Sequence, residues 1–268
     1  MLRVPDLLAM KQRGEKISML TAYDATFASL FDRAGIDVLL VGDSLGMVVL
    51  GHDTTLQVTM EDMVRHTRAV RQGVARALIV ADMPFLSYQI SIPEALRHAG
   101  RLLQEGEAAA VKLEGGLVVA DTIERLVAMG IPVMAHLGLL PQSVHQQGGF
   151  RRQGNDETAR RALISDAAAV ESAGAFAVVL ECIPPDLPEH ISAKLKIPTI
   201  GIGSGPHCDG QVLVSYDLLG LSAHAPPFAR RYADLDQTVL DAAKRYAADV
   251  KTGEPLATHS QPGRVVNG

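Results

Sequence analysis

The sequence predicts a single-domain α/β protein, a (β/α)8 barrel, and three observations carry that expectation. Short apolar runs alternate with amphipathic stretches along almost the whole chain, as βαβ units and a parallel sheet require. The 268 residues suit a fold that typically takes about 250. The chain is 47% hydrophobic but only 4% aromatic, with no Trp. Its core must therefore be Ala, Val, Leu and Ile, which suit strands buried on both faces. A doubly wound open sheet is the other arrangement of such units, and seven or eight of them in one domain favour closure.

The elements follow in order. Residues Val4–Lys11 form an extra helix ahead of the first strand, Ile17–Thr21. The stretch Asp24–Ala34 places Phe27, Leu30 and Phe31 on one helical face. Strand Val38–Val41 leads to helix Thr59–Gln72, which opens with Thr59, Glu61 and Asp62, a strong N-terminal pattern. Strand Ala77–Ala81 precedes helix Pro93–Gln104, with proline in its first turn. Strand Ala109–Leu113 precedes helix Asp121–Met129, and strand Val133–Ala135 precedes helix Glu157–Ala173. Strand Phe176–Leu180, helix Asp186–Lys194 and strand Thr199–Ile202 follow. The eighth strand is weakly marked, at Gln211–Val214 or at Leu218–Leu221, and helix Asp234–Val250 closes the series. Residues 1–251 are thus expected to form the barrel domain, and the Gly-, Pro- and polar-rich tail 252–268 to be disordered.

One connection is long. From Gly138 to Asp156 the chain reads GLLPQSVHQQGGFRRQGND, the length of a lid or binding loop, with Gly148 and Gly149 as candidate hinges. A variable surface excursion is the competing reading.

The net charge is −5 and the basic residues are scattered, so nothing marks a nucleic-acid partner. No apolar run reaches the length of a membrane span, and Met1–Lys16 holds no secretory core. The two cysteines, Cys182 and Cys208, form no CxxC pair and read as reduced thiols of a cytoplasmic protein.

Functional side chains of such a barrel sit at the C-terminal ends of the strands. There the sequence places Asp43, Asp82, Lys112 with Glu114, His136 and Glu181. A single acid after a strand is commonly the next helix's N-cap, but five strands ending in ionisable groups form a series. Lys112 and Glu114 are two apart, so they share one face of their strand. A buried structural ion pair would satisfy that pattern too. Asp43, Asp82 and Glu114 come from successive strands, and three converging carboxylates repel unless a cation neutralises them. All-oxygen ligation selects Mg2+ or Mn2+ over zinc, and two direct carboxylates suffice when substrate and water fill the other positions. Glu181, farther round the ring, would face a chelated substrate as a general base, or simply cap the helix after Pro184. His136 would bond a substrate oxygen or stay a satisfied core histidine. Cys182 should turn away from the Glu181 face. The run Gly201–Gly205 would admit a phosphate or make a tight turn, and Ser143, Ser204 and Ser215 sit in no nucleophile elbow.

The segments TAYD (21–24), VGDSLGM (41–47), GHDTT (51–55), ADMPF (81–85), VKLEGG (111–116) and AHLG (135–138) are long and unusual. With PQS (141–143), LEC (180–182), IGIG (200–203) and CDGQ (208–211), they make the chain resemble the ketopantoate hydroxymethyltransferase family from the first strand to Tyr232. Gln57 and Pro227 depart from that pattern, where a proline and a basic residue are expected. The resemblance implies a (β/α)8 barrel that transfers a hydroxymethyl group from 5,10-methylenetetrahydrofolate to 3-methyl-2-oxobutanoate through a magnesium-stabilised enolate. It implies Asp43 and Asp82 as direct Mg2+ ligands, with Mn2+ or Co2+ as alternatives, and Glu114 as a third acid acting directly or through water. Asp43, Ser44, Asp82 and Lys112 would hold the keto acid, joined by His136, and Glu181 would take the proton. Large homo-oligomers, typically decamers, are implied as well. The alternatives are another Mg-dependent 2-oxo acid lyase or mutase on the same barrel, and a non-catalytic metabolite binder. Lys112, ringed by acids, would stay charged and make a poor Schiff-base nucleophile.

Overall fold

The continuity of the apolar runs decides the architecture, because each strand must bury both faces. The computed structural model describes residues 1–222 and 225–253. In it eight parallel strands close into a barrel in sequence order. They are β1 (Ile17–Thr21), β2 (Val38–Val41), β3 (Leu78–Asp82), β4 (Ala110–Glu114), β5 (Val133–Gly138), β6 (Ala177–Glu181), β7 (Thr199–Ile202) and β8 (Gly210–Leu213). Closure is made by β8 against β1, with Ile17 opposite Gly210 and Met19 opposite Val212. The helices are α1 (Val4–Gln12), α2 (Ala25–Arg33), α3 (Leu45–Val48), α4 (Met60–Gln72) and α5 (Ile92–Gln104). Then come α6 (Ala120–Ala128), α7 (Glu157–Ser172), α8 (Asp186–Lys194), α9 (Ser215–Leu219) and α10 (Leu235–Thr252).

Two cores follow from the alternation. Leu39, Val41, Ile79, Ala81, Val111 and Leu113 face outward, where they pack with helix residues such as Met63, Leu102 and Leu126. Val38, Leu40, Leu78, Val80, Ala110, Met134, Ala177 and Val179 face inward and fill the barrel. Helix α1 closes the N-terminal end, where fully buried Leu7 joins that interior cluster. Lys11 fixes α1 there, donating from Nζ to Ser192 O, Ile197 O and Asp209 Oδ2 at 2.9 to 3.0 Å. With the floor plugged by hydrocarbon, the polar interior lies at the C-terminal end.

The expected start of the helix at Thr59 is capped as its sequence suggests. Thr59 and Asp62 form a reciprocal capping box on α4, and Asp24 and Asp156 cap α2 and α7. Strands β3, β4 and β6 each run one residue beyond the expected end and take in Asp82, Glu114 and Glu181, and β5 runs on to Gly138. Of the two eighth-strand candidates, the first is the strand; residues 218–219 of the second belong to α9. Helix α10 continues to Thr252, and the expected disordered tail falls mainly at 254–268, outside the described residues. Among the described residues no helix is long and apolar enough to cross a membrane.

Candidate active site

Inward-facing positions change character along each strand. On β3, Leu78 and Val80 are followed by Asp82; on β4, Ala110 is followed by Lys112 and Glu114. Met134 of β5 gives way to His136, and Val179 of β6 to Glu181. The same alternation that packs the floor therefore aims every one of these polar groups into the barrel mouth. Strand register pairs them, with Asp82 beside Lys112, Glu114 beside His136, and Gly138 beside Glu181. Gly138 has φ 97°, and a Cβ on it would lie 2.2 Å from Glu181 O, so only glycine lets β5 pass the end of β6 this closely.

The side chains surround one cavity of about 1010 Å³. Asp43, Ser44, Asp82, Lys112, Glu114, His136 and Glu181 all line it. Asp43, Asp82, Lys112, Glu114 and His136 are 3% to 5% exposed. Asp43 follows β2 directly, and its backbone N–H donates to Asp82 Oδ2 at 3.0 Å. Lys112 Nζ lies 2.8 Å from Asp82 Oδ1. His136 stands between two acids, with Nδ1 3.4 Å from Glu114 Oε1 and Nε2 3.1 Å from Glu181 Oε2. The latter contact is not directed as a hydrogen bond. Ser44 Oγ lies 2.9 Å from the Tyr23 hydroxyl.

Burial lowers the Lys112 ammonium's pKa, but Asp82, Glu114 and Asp43 outweigh it and hold the group charged. Burial and Lys112 also oppose charge on His136, whose contacts with Glu114 and Glu181 raise it to about 9. Asp43 goes the other way. Burial, then Asp82 and Glu114, push its carboxyl well above the usual range despite Lys112 and Gln142. Cys182 borders the cavity rather than turning away, because its φ of 47° breaks the strand alternation. Burial and Glu181 push its thiol up to about 11, so it stays protonated at neutral pH.

Three buried carboxylates, Asp43, Asp82 and Glu114, converge here with Lys112 and His136, and burial together with their mutual repulsion is what raises Asp43. Asp82 Oδ1 is engaged by the Lys112 ammonium, and the carboxylate oxygens of this cluster are the donor type that suits a hard cation. Among the described residues no three His, Cys, Asp or Glu side chains converge tightly enough to cage a metal by themselves.

Two groups in this site carry no mark in the sequence. Gln142, at the root of the long loop, donates from Nε2 to Asp43 Oδ2 at 2.8 Å and to Met83 O at 2.9 Å. Its backbone N–H donates to Glu114 Oε2 at 3.0 Å. Tyr88 places its hydroxyl 2.9 Å from Gln142 Oε1 and accepts the Glu114 N–H at 3.0 Å. The PQS segment pointed to the position but not to the role. The long loop also sends Phe150 and Arg152 to the cavity wall. Gly203 and Gly205 both have positive φ, so the second half of the Gly201–Gly205 run turns tightly after β7, which takes in Gly201 and Ile202. Pro227, one of the two departures, borders the outer cavity, while Gln57 lies in a 3-10 turn, Thr55–Gln57.

Residues 1–255 match the family model described as ketopantoate hydroxymethyltransferase. The chain is 55% identical over 259 residues to the 3-methyl-2-oxobutanoate hydroxymethyltransferase of Moorella thermoacetica, covering 96% of each. It is 53% identical over 259 residues to that of Pelobacter propionicus, again covering 96% of each. Among solved structures it is similar in fold to a phosphonopyruvate hydrolase complexed with oxalate and Mg++. There the TM-score is 0.64 at 13% identity, over 99% of this chain and 93% of the other. A 2,3-dimethylmalate lyase of the PEP mutase/isocitrate lyase superfamily gives 0.62 at 15%, over 98% and 90%.

Proposed function

The chain belongs to the ketopantoate hydroxymethyltransferase family, and from that premise we propose the reaction and the roles of its residues. The enzyme takes a one-carbon unit from 5,10-methylenetetrahydrofolate and joins it to C3 of 3-methyl-2-oxobutanoate. The product is 2-dehydropantoate, on the route to pantothenate. The single observation that carries the reading is the ring of buried Asp43, Asp82, Lys112, Glu114 and His136, with partly exposed Glu181, around one cavity.

Asp43 and Asp82 would hold Mg2+, with Glu114 completing the acidic side directly or through water. When bound, Mg2+ supplies Lewis-acid polarisation of the substrate's oxygens. Lys112 balances the keto acid's carboxylate, and Ser44 with Asp43 and Asp82 fixes its orientation. Glu181, across the mouth from Asp43 and Asp82, accepts the C3 proton, and His136, 3.1 Å from it, offers an N–H to the substrate. The carbanion equivalent at C3 forms a C–C bond to the methylene carbon. The C–N bonds of the carrier break, water supplies the hydroxyl, and tetrahydrofolate leaves. The Gly138–Asp156 loop, which walls part of the cavity, excludes solvent from the reactive carbanion.

Copies of this chain associate, in the decamer that the family resemblance implies. Helix α10 supports association, since none of its residues is buried and Val239, Tyr246 and Val250 are each more than half exposed. Free thiols at Cys182 and Cys208 suit the cytoplasm. The test is hydroxymethyl transfer with the keto acid and methylenetetrahydrofolate, with and without a chelator. Turnover that the chelator abolishes and Mg2+ restores supports the reading; absence of 2-dehydropantoate refutes it.

A further inference from the structure

The cavity is too large for the keto acid alone. Pockets of about 300–1,000 Å³ hold drug-sized ligands, and this one, at about 1010 Å³, lies at the top of that range. The acids, Lys112 and His136 of the strand ends lie at its inner end. Its outer wall carries Phe150 and Arg152 from the long loop and Phe228 from the segment after α9. Phe150 is 53% exposed and Phe228 39%, and among the described residues neither packs against another ring. Phe228 is held in place from behind. A Cβ on Gly203 would come within 2.7 Å of its ring, so that glycine is what lets the ring lie against the β7 turn. Arg152 is the one arginine of the lining and forms no ion pair among the described residues. Its loop is tied to the end of β6, next to the base Glu181, by the Gln153 N–H, which donates to Cys182 O at 3.0 Å.

Two unstacked rings and one unpaired guanidinium, on the side of the mouth that holds Glu181, match a particular ligand chemistry. They suit a flat conjugated heterocycle carrying a carboxylate tail. Resting on the one-carbon transfer proposed above, we propose that this outer chamber is the carrier's site. Phe150 and Phe228 hold the faces of its heterocycle, and Arg152 holds the carboxylates of its glutamyl tail. The rings substitute for the indole platform that a chain without Trp lacks.

The carrier's two parts allow a test that separates the residues. Steady-state kinetics are measured with methylenetetrahydrofolate and with its tetrahydropteroate analogue, which has no glutamyl tail. Deuterium exchange at C3 of the keto acid reports the inner site in the same preparations. Arg152→Gln should raise KM for the folate about tenfold or more and leave KM for the tetrahydropteroate analogue unchanged. Phe150→Ala should raise KM for both, by about fivefold to a hundredfold. Exchange should persist in both variants, since neither residue faces the keto acid. Unchanged folate KM in both variants, with exchange intact, overturns the assignment. Equal effects of Arg152→Gln on both carriers overturn the tail contact. A wild-type protein that neither exchanges nor transfers removes the parent reading instead, and this one with it.

Discussion

Gln142 donates its side-chain N–H to Asp43 Oδ2 at 2.8 Å, across ninety-nine positions of sequence. The amide has no freedom to turn over. Asp43 and Met83 O are both acceptors on its nitrogen, while the Tyr88 hydroxyl and Gln89 Nε2 donate to its oxygen at 2.9 and 3.1 Å. One oxygen of Asp43 is thereby engaged, and in the proposed reading the other would face the cation. Groups that orient a metal's ligands in this way are worth about 10–100-fold in metal affinity. Gln142→Met keeps the volume and removes the contact, so Mg2+ affinity by calorimetry should fall by about that factor. An unaltered affinity would show that Asp43 needs no such support.

Glu181 is the only acid of the site on β6, and it faces the cavity from the side opposite Asp43. Glu181→Gln should retain Mg2+ binding while C3 deuterium exchange of the keto acid drops by about 10²–10⁴-fold. Exchange at the wild-type rate would assign the proton to another group.

Lys112 opposes a cation bound at Asp43 and Asp82 but favours an anionic substrate. Its replacement should therefore move the two affinities in opposite directions. Lys112→Met is expected to tighten Mg2+ binding by at least about tenfold, as removal of a nearby like charge requires. Keto acid affinity should fall by at least as much. If both weaken together, the lysine is chiefly a structural partner of Asp82.

The legible part of this site was the part written in strand periodicity. Lys112 and Glu114 two residues apart, and acids closing three apolar runs, follow from the alternation that also builds the core. The strand ends slipped by one residue for the same reason, because a charged residue at a strand's last inward position reads as the start of a loop. Gln142 and Tyr88 were beyond reach. An amide and a phenol inside loops have no period, and their roles arise only where β3, β4 and the long loop meet. Cys182 was misplaced because a single residue of positive φ ends the alternation without any local signal in its type.

Gly138→Ala tests the approach of β5 to β6. The new methyl would meet Glu181 O at 2.2 Å on a backbone of φ 97°. Strain of about 1–3 kcal/mol is expected from the backbone conformation alone. The clash adds to it, so the urea midpoint should fall. Exchange activity should be lost in the fraction that stays folded, because Glu181 moves with its carbonyl. A stable variant with full exchange would mean that β6 shifts freely as a unit.

Asp32 carries a stability prediction with a defined pH window. Its carboxylate is 8% exposed and accepts the backbone N–H groups of Ala75, Arg76 and Ala77 at 2.7 to 3.2 Å. It thereby ties the last turn of α2 to the entry of β3. Burial would raise its pKa, but the three N–H groups, with Arg76 nearby, hold it below the usual carboxylate range. A depressed native pKa stabilises the fold at pH values above the unfolded value of about 3.9. That contribution is lost as pH falls from there through the native pKa. Asp32→Asn keeps the shape but turns an amide N–H toward donors. At pH 7 it should cost about 1.5–3 kcal/mol, the range for hydrogen bonds to a charged group. Urea unfolding of both proteins at a series of pH values checks the sign. The gap should be constant from pH 7 to about 5 and close as the wild-type carboxylate protonates below about 4. A gap that is independent of pH would show that the loss is one of packing and not of charge.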